Sequence, residues 1–312
     1  MSDLLKSIDA RTKLAGTNKL EILMFSLGKD ARSKREETFG INVFKVREVM
    51  RIPEITRAPE MPKSVEGMVS LRGVLVPVID LAKYIGIETD CKPEIMIVTE
   101  YNGQTQGFLV KAVDNILRLD WSAMRVPPAM LLAEMGGLVT AITELKDGRL
   151  VMMIDVEKVL SETSRYDDET VFQNVHPLGK ERTVFFVDDS SVARRQISRT
   201  LDAMQVKYVS AINGRQAWIE LAKMADLAEA SHAPLKDTMQ VIMTDVEMPE
   251  MDGYMLTRKI KADKRFAGIP VLMHSSLSGS SNQQLGKTVG VDEYVSKFEP
   301  QKLAQTLARL LA

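Results

Sequence analysis

Three carboxylates and a lysine are the residues whose type and placement best suit chemistry. Asp188 and Asp189 follow the run VFFV, Asp245 follows VIMT, and Lys297 follows EYVS. Each run is short and continuously apolar, as in a parallel sheet buried on both faces. A carboxylate at the carboxyl end of such a strand lies where open α/β sheets place their ligands. Met248-Pro249 and Asp252-Gly253 then make a loop and stop the strand. Grouped acids repel, so a cation must compensate. Mg2+ is hard and prefers oxygen, and it bridges carboxylate to phosphate. Lys297 can balance one phosphoryl oxygen, and Ser275, after PVLMH, offers a hydroxyl to another. In this arrangement Asp245 attacks phosphorus in line and accepts a phosphoryl group. Taken singly, each residue has a plainer role. Asp245 or Asp188-Asp189-Ser190 would cap a helix, Lys297 would be a surface charge, Ser275 would solvate a loop and Tyr294 would be core.

The elements around these residues decide between the two. From Val184 the chain runs through five strand–loop–helix units, ending in a terminal helix at Ala312. Five such units imply a doubly wound parallel sheet with strands one and three as central neighbours. Asp188, Asp189 and Asp245 then share one cleft. The stretch Leu20–Leu160 has a different grammar of short β-like runs separated by Gly, Pro and charged turns. It repeats internally. Glu21–Met24 resembles Glu94–Ile97, and Gly40–Val43 resembles Gly107–Val110. Gly73–Asp80 resembles Gly148–Asp155. A duplicated β unit follows, each half expected to be a small curled sheet or barrel packed on its twin. Asp80 and Asp155 end strands in matching places, which favours helix capping over chemistry. No nucleophile elbow or phosphate-cradling glycine loop occurs in this half. The expected domains are an N-terminal helix or tail over 1–18, an all-β domain over 19–162, a linker over 163–181 and an α/β domain over 182–312.

Composition narrows the function classes. The formal net charge is −1, from 41 basic and 42 acidic residues. This gives no electrostatic footprint for nucleic acid or an acidic membrane surface. A single cysteine rules out an internal disulfide framework and a Cys-rich metal site. The N-terminal MSDLLKSIDA lacks the apolar core of a secretory signal, and no apolar run approaches a membrane span of ~20 residues. A cytoplasmic protein without direct membrane insertion is expected.

The second half resembles a response-regulator receiver domain, a flavodoxin-like fold with a five-stranded parallel sheet. The resemblance implies that Asp245 is the phosphoacceptor, that Asp189 binds Mg2+ directly and that Asp188 binds it through water. The backbone carbonyl of Glu247 completes the metal shell. Ser275 and Tyr294 match the family's hydroxyl–aromatic switch pair, and Lys297 matches its lysine. Two departures stand out: Phe298 replaces the usual proline after the lysine, and Glu247 adds a carboxylate near the acceptor. On GINVFKVREV and SLRGVLVPVIDL, the first half resembles the CheW-like coupling domain, which has two small SH3-like β-barrels. That family binds chemoreceptor cytoplasmic tips and the chemotaxis histidine kinase, and Arg72 is similar to a coupling residue. A CheW-like domain followed by a receiver resembles the CheV family. The implied function is a phosphorylation-controlled adaptor at membrane receptor arrays. Two alternatives are a phosphate sink for the kinase and an acid-nucleophile phosphatase. Asp245-Val246-Glu247 lacks the Asp-x-Asp typical of the phosphatase.

Overall fold

The computed structural model describes residues 19–57, 61–101, 104–163, 175–178, 181–276, 280–297 and 299–312. The expected N-terminal helix, most of the expected linker and Phe298 lie outside these residues. The chain forms two compact units.

In the first unit, the first half of the repeat supplies β1 (Lys19–Ser26), β2 (Thr38–Asn42), β3 (Val46–Arg51), β4 (Val65–Leu71), β5 (Val74–Asp80) and helix α1 (Leu81–Ile85). The second half supplies β6 (Ile95–Tyr101), β7 (Gln104–Val110), β8 (Ala112–Asp120), helix α2 (Ala129–Glu134), β9 (Val139–Glu144), β10 (Leu150–Ile154) and helix α3 (Val156–Thr163). These build two five-stranded sheets, ordered β8-β1-β2-β10-β9 and β3-β6-β7-β5-β4. The two orders match strand for strand under the repeat.

The expectation that each half folds on itself is corrected. Each sheet takes two strands from one half and three from the other. The exchange includes the antiparallel pairing of β3 with β6 and the parallel pairing of β2 with β10 and of β5 with β7. Strands joined by a tight hairpin cannot be parallel neighbours, so the parallel pairs must form between distant segments. One core then spans both sheets, including Leu23, Phe39 and Ile41 from one and Ile79, Ile97 and Phe108 from the other. Fully burying each such side chain contributes about 1.5–3 kcal/mol.

The repeated motif residues have structural roles. A Cβ on Gly40 would lie 2.4 Å from Ile22 Cγ2, and one on Gly107 would lie 2.8 Å from Met96 Sδ. The glycines let neighbouring side chains cross the strand closely. Asp80 caps α1, accepting from the Lys83 amide at 3.1 Å. Asp155 accepts from the Glu157 and Lys158 amides at 3.0 and 3.1 Å at the start of α3. Arg72 and Gly73 form the two-residue β4–β5 turn, with φ of 51° and 83°. Positive φ at both positions is the type I′ arrangement that matches strand twist.

The second unit contains β11 (Thr183–Val187), α4 (Ser191–Ala203), β12 (Lys207–Ala211), α5 (Gly214–Ala230), α6 (Leu235–Thr238), β13 (Val241–Thr244), α7 (Gly253–Ala262), β14 (Val271–Ser275), α8 (Ser280–Val289), β15 (Glu293–Ser296) and α9 (Pro300–Leu311). The sheet order is β12-β11-β13-β14-β15, and every pair is parallel. Alternate residues of β11 serve opposite faces. Phe185 and Val187 pack with Leu221 of α5 and Leu256 of α7. Val184 and Phe186 pack with Ile197 of α4 and Leu307 of α9. With both faces covered, all four are buried, which is why the run reads as continuous rather than alternating. Among the described residues, no helix is long and apolar enough to cross a membrane.

Candidate functional site

Strand register brings the acidic residues together. Val187 of β11 pairs with Thr244 of β13, and the Asp245 amide donates to the Val187 carbonyl at 2.9 Å. Asp188 and Asp245 therefore leave adjacent strands side by side. Ser275 of β14 pairs with Ser296 of β15, and the Lys297 amide donates to the Ser275 carbonyl at 3.1 Å. This aims Lys297 back across the sheet end. Its Nζ lies 2.9 Å from Asp188 Oδ2 and 2.9 Å from Asp245 Oδ2. All three side chains are at most 5% exposed. Lys297 is thus no surface lysine.

Nor does Asp245 cap a helix. Its Oδ1 accepts from the neighbouring Val246 amide at 2.6 Å, while Asp252 caps α7 by accepting from the Met255 amide at 2.6 Å. Ser190, not the aspartates, is the N-cap of α4. Asp188 Oδ1 accepts from the Ser190 amide at 2.9 Å. Arg194 of α4 pins the acidic turn from below. Its Nη1 donates to the Asp188 carbonyl at 2.8 Å and to the Asp189 carbonyl at 2.9 Å. Nothing in the sequence reading singled out Arg194.

Asp188, Asp189 and Asp245 each offer an oxygen within 4.8 Å of the others. Three carboxylates against one ammonium leave an excess of two negative charges. Hard oxygen donors with that excess suit Mg2+ by charge and by ligand type. The carboxylate side chain of Glu247 is also buried close by, and its field reaches both Tyr254 and Tyr294.

Ser275 is the last residue of β14 and is buried. Its side chain shares a hydrogen bond with the Tyr294 hydroxyl. Burial pushes the Tyr294 phenol well above its ordinary range, and the bond to Ser275 opposes this. Tyr294 is therefore a neutral hydroxyl throughout the physiological range. Tyr254, which the sequence reading passed over, is buried in the same cluster with Val246, Met273 and Val289, against which Tyr294 packs. Its phenol is also raised, chiefly by burial and then by Tyr294 and Glu247. The available signal was a tyrosine one residue into the helix after Asp252-Gly253.

Two neighbours of the acceptor give measurable consequences. A Cβ on Gly253 would sit 1.9 Å from the Asp245 backbone oxygen. Backbone has little room to yield, so Gly253→Ala must displace the acceptor. The variant is expected to lose about 1–3 kcal/mol of stability and most phosphoryl uptake, read by urea unfolding and by labelling from acetyl phosphate.

Asp252 has its carboxyl raised by burial. Folding therefore favours the protonated form, and stability is lost as pH climbs from the unfolded value, about 3.9, through the folded one. Asparagine caps equally well without the charge. Asp252→Asn is expected to raise the urea midpoint at pH 7, with the gain vanishing below the unfolded value. A gain that is the same at every pH would contradict this.

Arg72, in the first unit, is exposed and pairs with Glu48 at 3.1 Å. Beside it Val74 and Leu75 are 48% and 65% exposed, so the turn presents a cation next to apolar surface.

Comparison with known proteins adds to this geometry. The CheW-like domain family matches residues 21–164, and the response regulator receiver domain family matches residues 184–308. Chemotaxis protein CheV3 of Helicobacter pylori is 31% identical over 282 residues, spanning 88% of this chain and 89% of its own. Chemotaxis protein CheV1 of the same organism is 28% identical, spanning 100% of this chain and 99% of its own. Among solved structures, the scaffolding protein TtCheW from Thermoanaerobacter tengcongensis is 32% identical, covering 44% of this chain and 84% of that one with a TM-score of 0.39.

Proposed function

This chain belongs to the CheV family of chemotaxis proteins, a CheW-like domain joined to a response-regulator receiver, and we propose that phosphorylation of Asp245 controls it as a chemotaxis signalling adaptor. The observation that carries the reading is Lys297, buried and 2.9 Å from both Asp188 and Asp245. A buried ammonium shared by two acids, with a third acid beside them, is a site prepared for an incoming dianion and a divalent cation.

Asp188, Asp189, Asp245 and the backbone carbonyl of Glu247 would hold Mg2+, which neutralises charge on the transferring phosphoryl oxygens. The rest of the step belongs to the chain. An Asp245 carboxylate oxygen forms a bond to phosphorus as the bond to the kinase's histidine nitrogen breaks. That nitrogen keeps the electron pair and takes a proton from water. The Lys297 ammonium shifts from carboxylate to phosphoryl oxygen. Ser275 turns its hydroxyl to another phosphoryl oxygen and gives up its bond to Tyr294. The Tyr294 ring, freed of that bond, then reorients from its packing against Tyr254 and Val289. The outcome is a population shift of one receiver surface.

The first unit provides the coupling. Arg72, with Val74 and Leu75, is the proposed contact with chemoreceptor tips or the histidine kinase, which places the protein at cytoplasmic receptor arrays. On this reading the chain is a phosphoacceptor and scaffold, and hydrolysis of its own acyl phosphate only resets the state.

The test compares wild type with Asp245→Ala in a reconstituted receptor–kinase assembly. Receptor binding and kinase output that both respond to phosphorylation, and cease to respond in the variant, support the adaptor. Unchanged receptor binding with altered phosphate flow alone supports a phosphate sink instead. Turnover of a small phosphoester with Mg2+ would support a phosphatase.

A further inference from the structure

The acids of the cleft are carried by two loops, and the two are held in different ways. The loop after β13, which carries Asp245 and Glu247, is fixed by main-chain contacts. The Gly253 amide donates to the Val246 carbonyl at 2.9 Å, and the Met251 amide donates to the Pro249 carbonyl at 2.8 Å. The far side of this loop rests on the start of α5, where a Cβ on Gly214 would lie 2.3 Å from the Met251 backbone oxygen. The turn after β11, which carries Asp188 and Asp189, has its carbonyls held by a side chain. Both converge on one atom, Arg194 Nη1, at 2.8 and 2.9 Å.

A single nitrogen bound to both carbonyls fixes two successive peptide planes against α4. Those planes set the directions in which the Asp188 and Asp189 side chains leave the chain. Asp188 has further supports, because its Oδ1 accepts from the Ser190 amide at 2.9 Å and its Oδ2 lies 2.9 Å from Lys297 Nζ. Asp189 is only half-buried, yet its oxygen lies within 4.8 Å of oxygens on Asp188 and Asp245. That arrangement suits a demanding ion. Mg2+ requires near-ideal octahedral geometry at about 2.0–2.1 Å.

We infer that Arg194 is a positioning residue for the metal, setting Mg2+ affinity through its grip on the Asp188–Asp189 turn. The inference rests on the reading of this cleft as a Mg2+-dependent phosphoacceptor site. Partners that orient metal ligands change affinity by about 10–100-fold when they are lost. The charge of Arg194 acts in the other direction. A guanidinium beside the acids repels a divalent cation, so on charge alone its removal would tighten Mg2+ binding. Geometry and charge therefore give opposite signs.

The experiment titrates Mg2+ into the full chain by calorimetry, comparing wild type with Arg194→Met and Arg194→Lys. Urea unfolding in EDTA reports whether each variant is folded. Methionine keeps an unbranched stem and removes both hydrogen bonds. It is expected to weaken Mg2+ binding by about 10–100-fold and to raise the Mg2+ needed for half-maximal labelling from acetyl phosphate by a like factor. Lysine keeps the charge and a donor on a stem one bond shorter, and its affinity is expected to fall between the two. Should the methionine variant not fold, lysine stands in for it, with a several-fold weakening expected. A folded Arg194→Met, or its stand-in, that binds Mg2+ as tightly as wild type or more tightly would overturn the inference, even if it is less stable. Wild type that takes up no Mg2+ would contradict the underlying reading of the site instead.

Discussion

Lys297→Met is expected to lower the unfolding free energy of the receiver by about 3–5 kcal/mol in EDTA, the cost of breaking a buried ion pair and leaving its partner charged. The magnitude follows from burial. Lys297 is 2% exposed and touches two carboxylates that are 1% and 5% exposed. Two like charges 4 Å apart repel by about 4 kcal/mol at an effective dielectric of 20. Losing the ammonium leaves three acids whose oxygens lie within 4.8 Å of one another. Added Mg2+ is expected to recover much of the loss, because it supplies the missing positive charge among the same oxygens. The gain in unfolding midpoint on adding Mg2+ is therefore larger in the variant than in wild type. A lysine on the surface would shift stability by no more than about 0.5 kcal/mol, and that result would remove the buried triad from the account.

Asp245→Asn is expected to act with the opposite sign on stability and to abolish function. Asparagine keeps the size of the side chain and can still accept from the Val246 amide. It removes one of three crowded negative charges, so Lys297 then balances one fewer acid. In EDTA the variant is expected to be at least as stable as wild type, and its response to Mg2+ is expected to shrink. Phosphoryl uptake from acetyl phosphate, read as incorporated label or as added mass, falls to background because the nucleophile is gone. A destabilised variant would place Asp245 in a purely structural role. Retained labelling would place the acceptor elsewhere.

Much of this was legible in the sequence for a physical reason. Asp188, Asp189 and Asp245 follow apolar runs at strand ends, and the strand–helix alternation fixes which ends are neighbours. The parallel receiver sheet, its first and third strands as central neighbours and the meeting of Asp188, Asp189 and Asp245 in one cleft could therefore be read before any coordinates. The capping roles of Asp80 and Asp155 were legible from their matching positions in the repeat. What sequence could not carry was pairing at long range. The repeat shows a duplicated β unit but not that its strands exchange, because β2 with β10 and β5 with β7 meet across segments that no local pattern links. Burial of a charge was equally hidden: Lys297 reads as any lysine until its strand is placed beside β14. Arg194 gave no signal, since gripping two carbonyls leaves no periodic trace. Tyr254 left only a polar aromatic at a core position. Arg72 was marked only by its resemblance to a coupling residue, and its φ of 51° places it in a tight turn beside exposed Val74 and Leu75.

The central claim is that a phosphoryl group on Asp245 changes what the coupling domain binds. The most direct measurement is the affinity of the full chain for a receptor cytoplasmic tip and for the chemotaxis kinase, with Mg2+ present, before and after adding beryllium fluoride as a phosphoryl mimic. The expected result is a shift in at least one affinity for wild type and none for Asp245→Asn. Equal affinities for wild type in both states, under conditions where the mimic is shown to be bound, would contradict it.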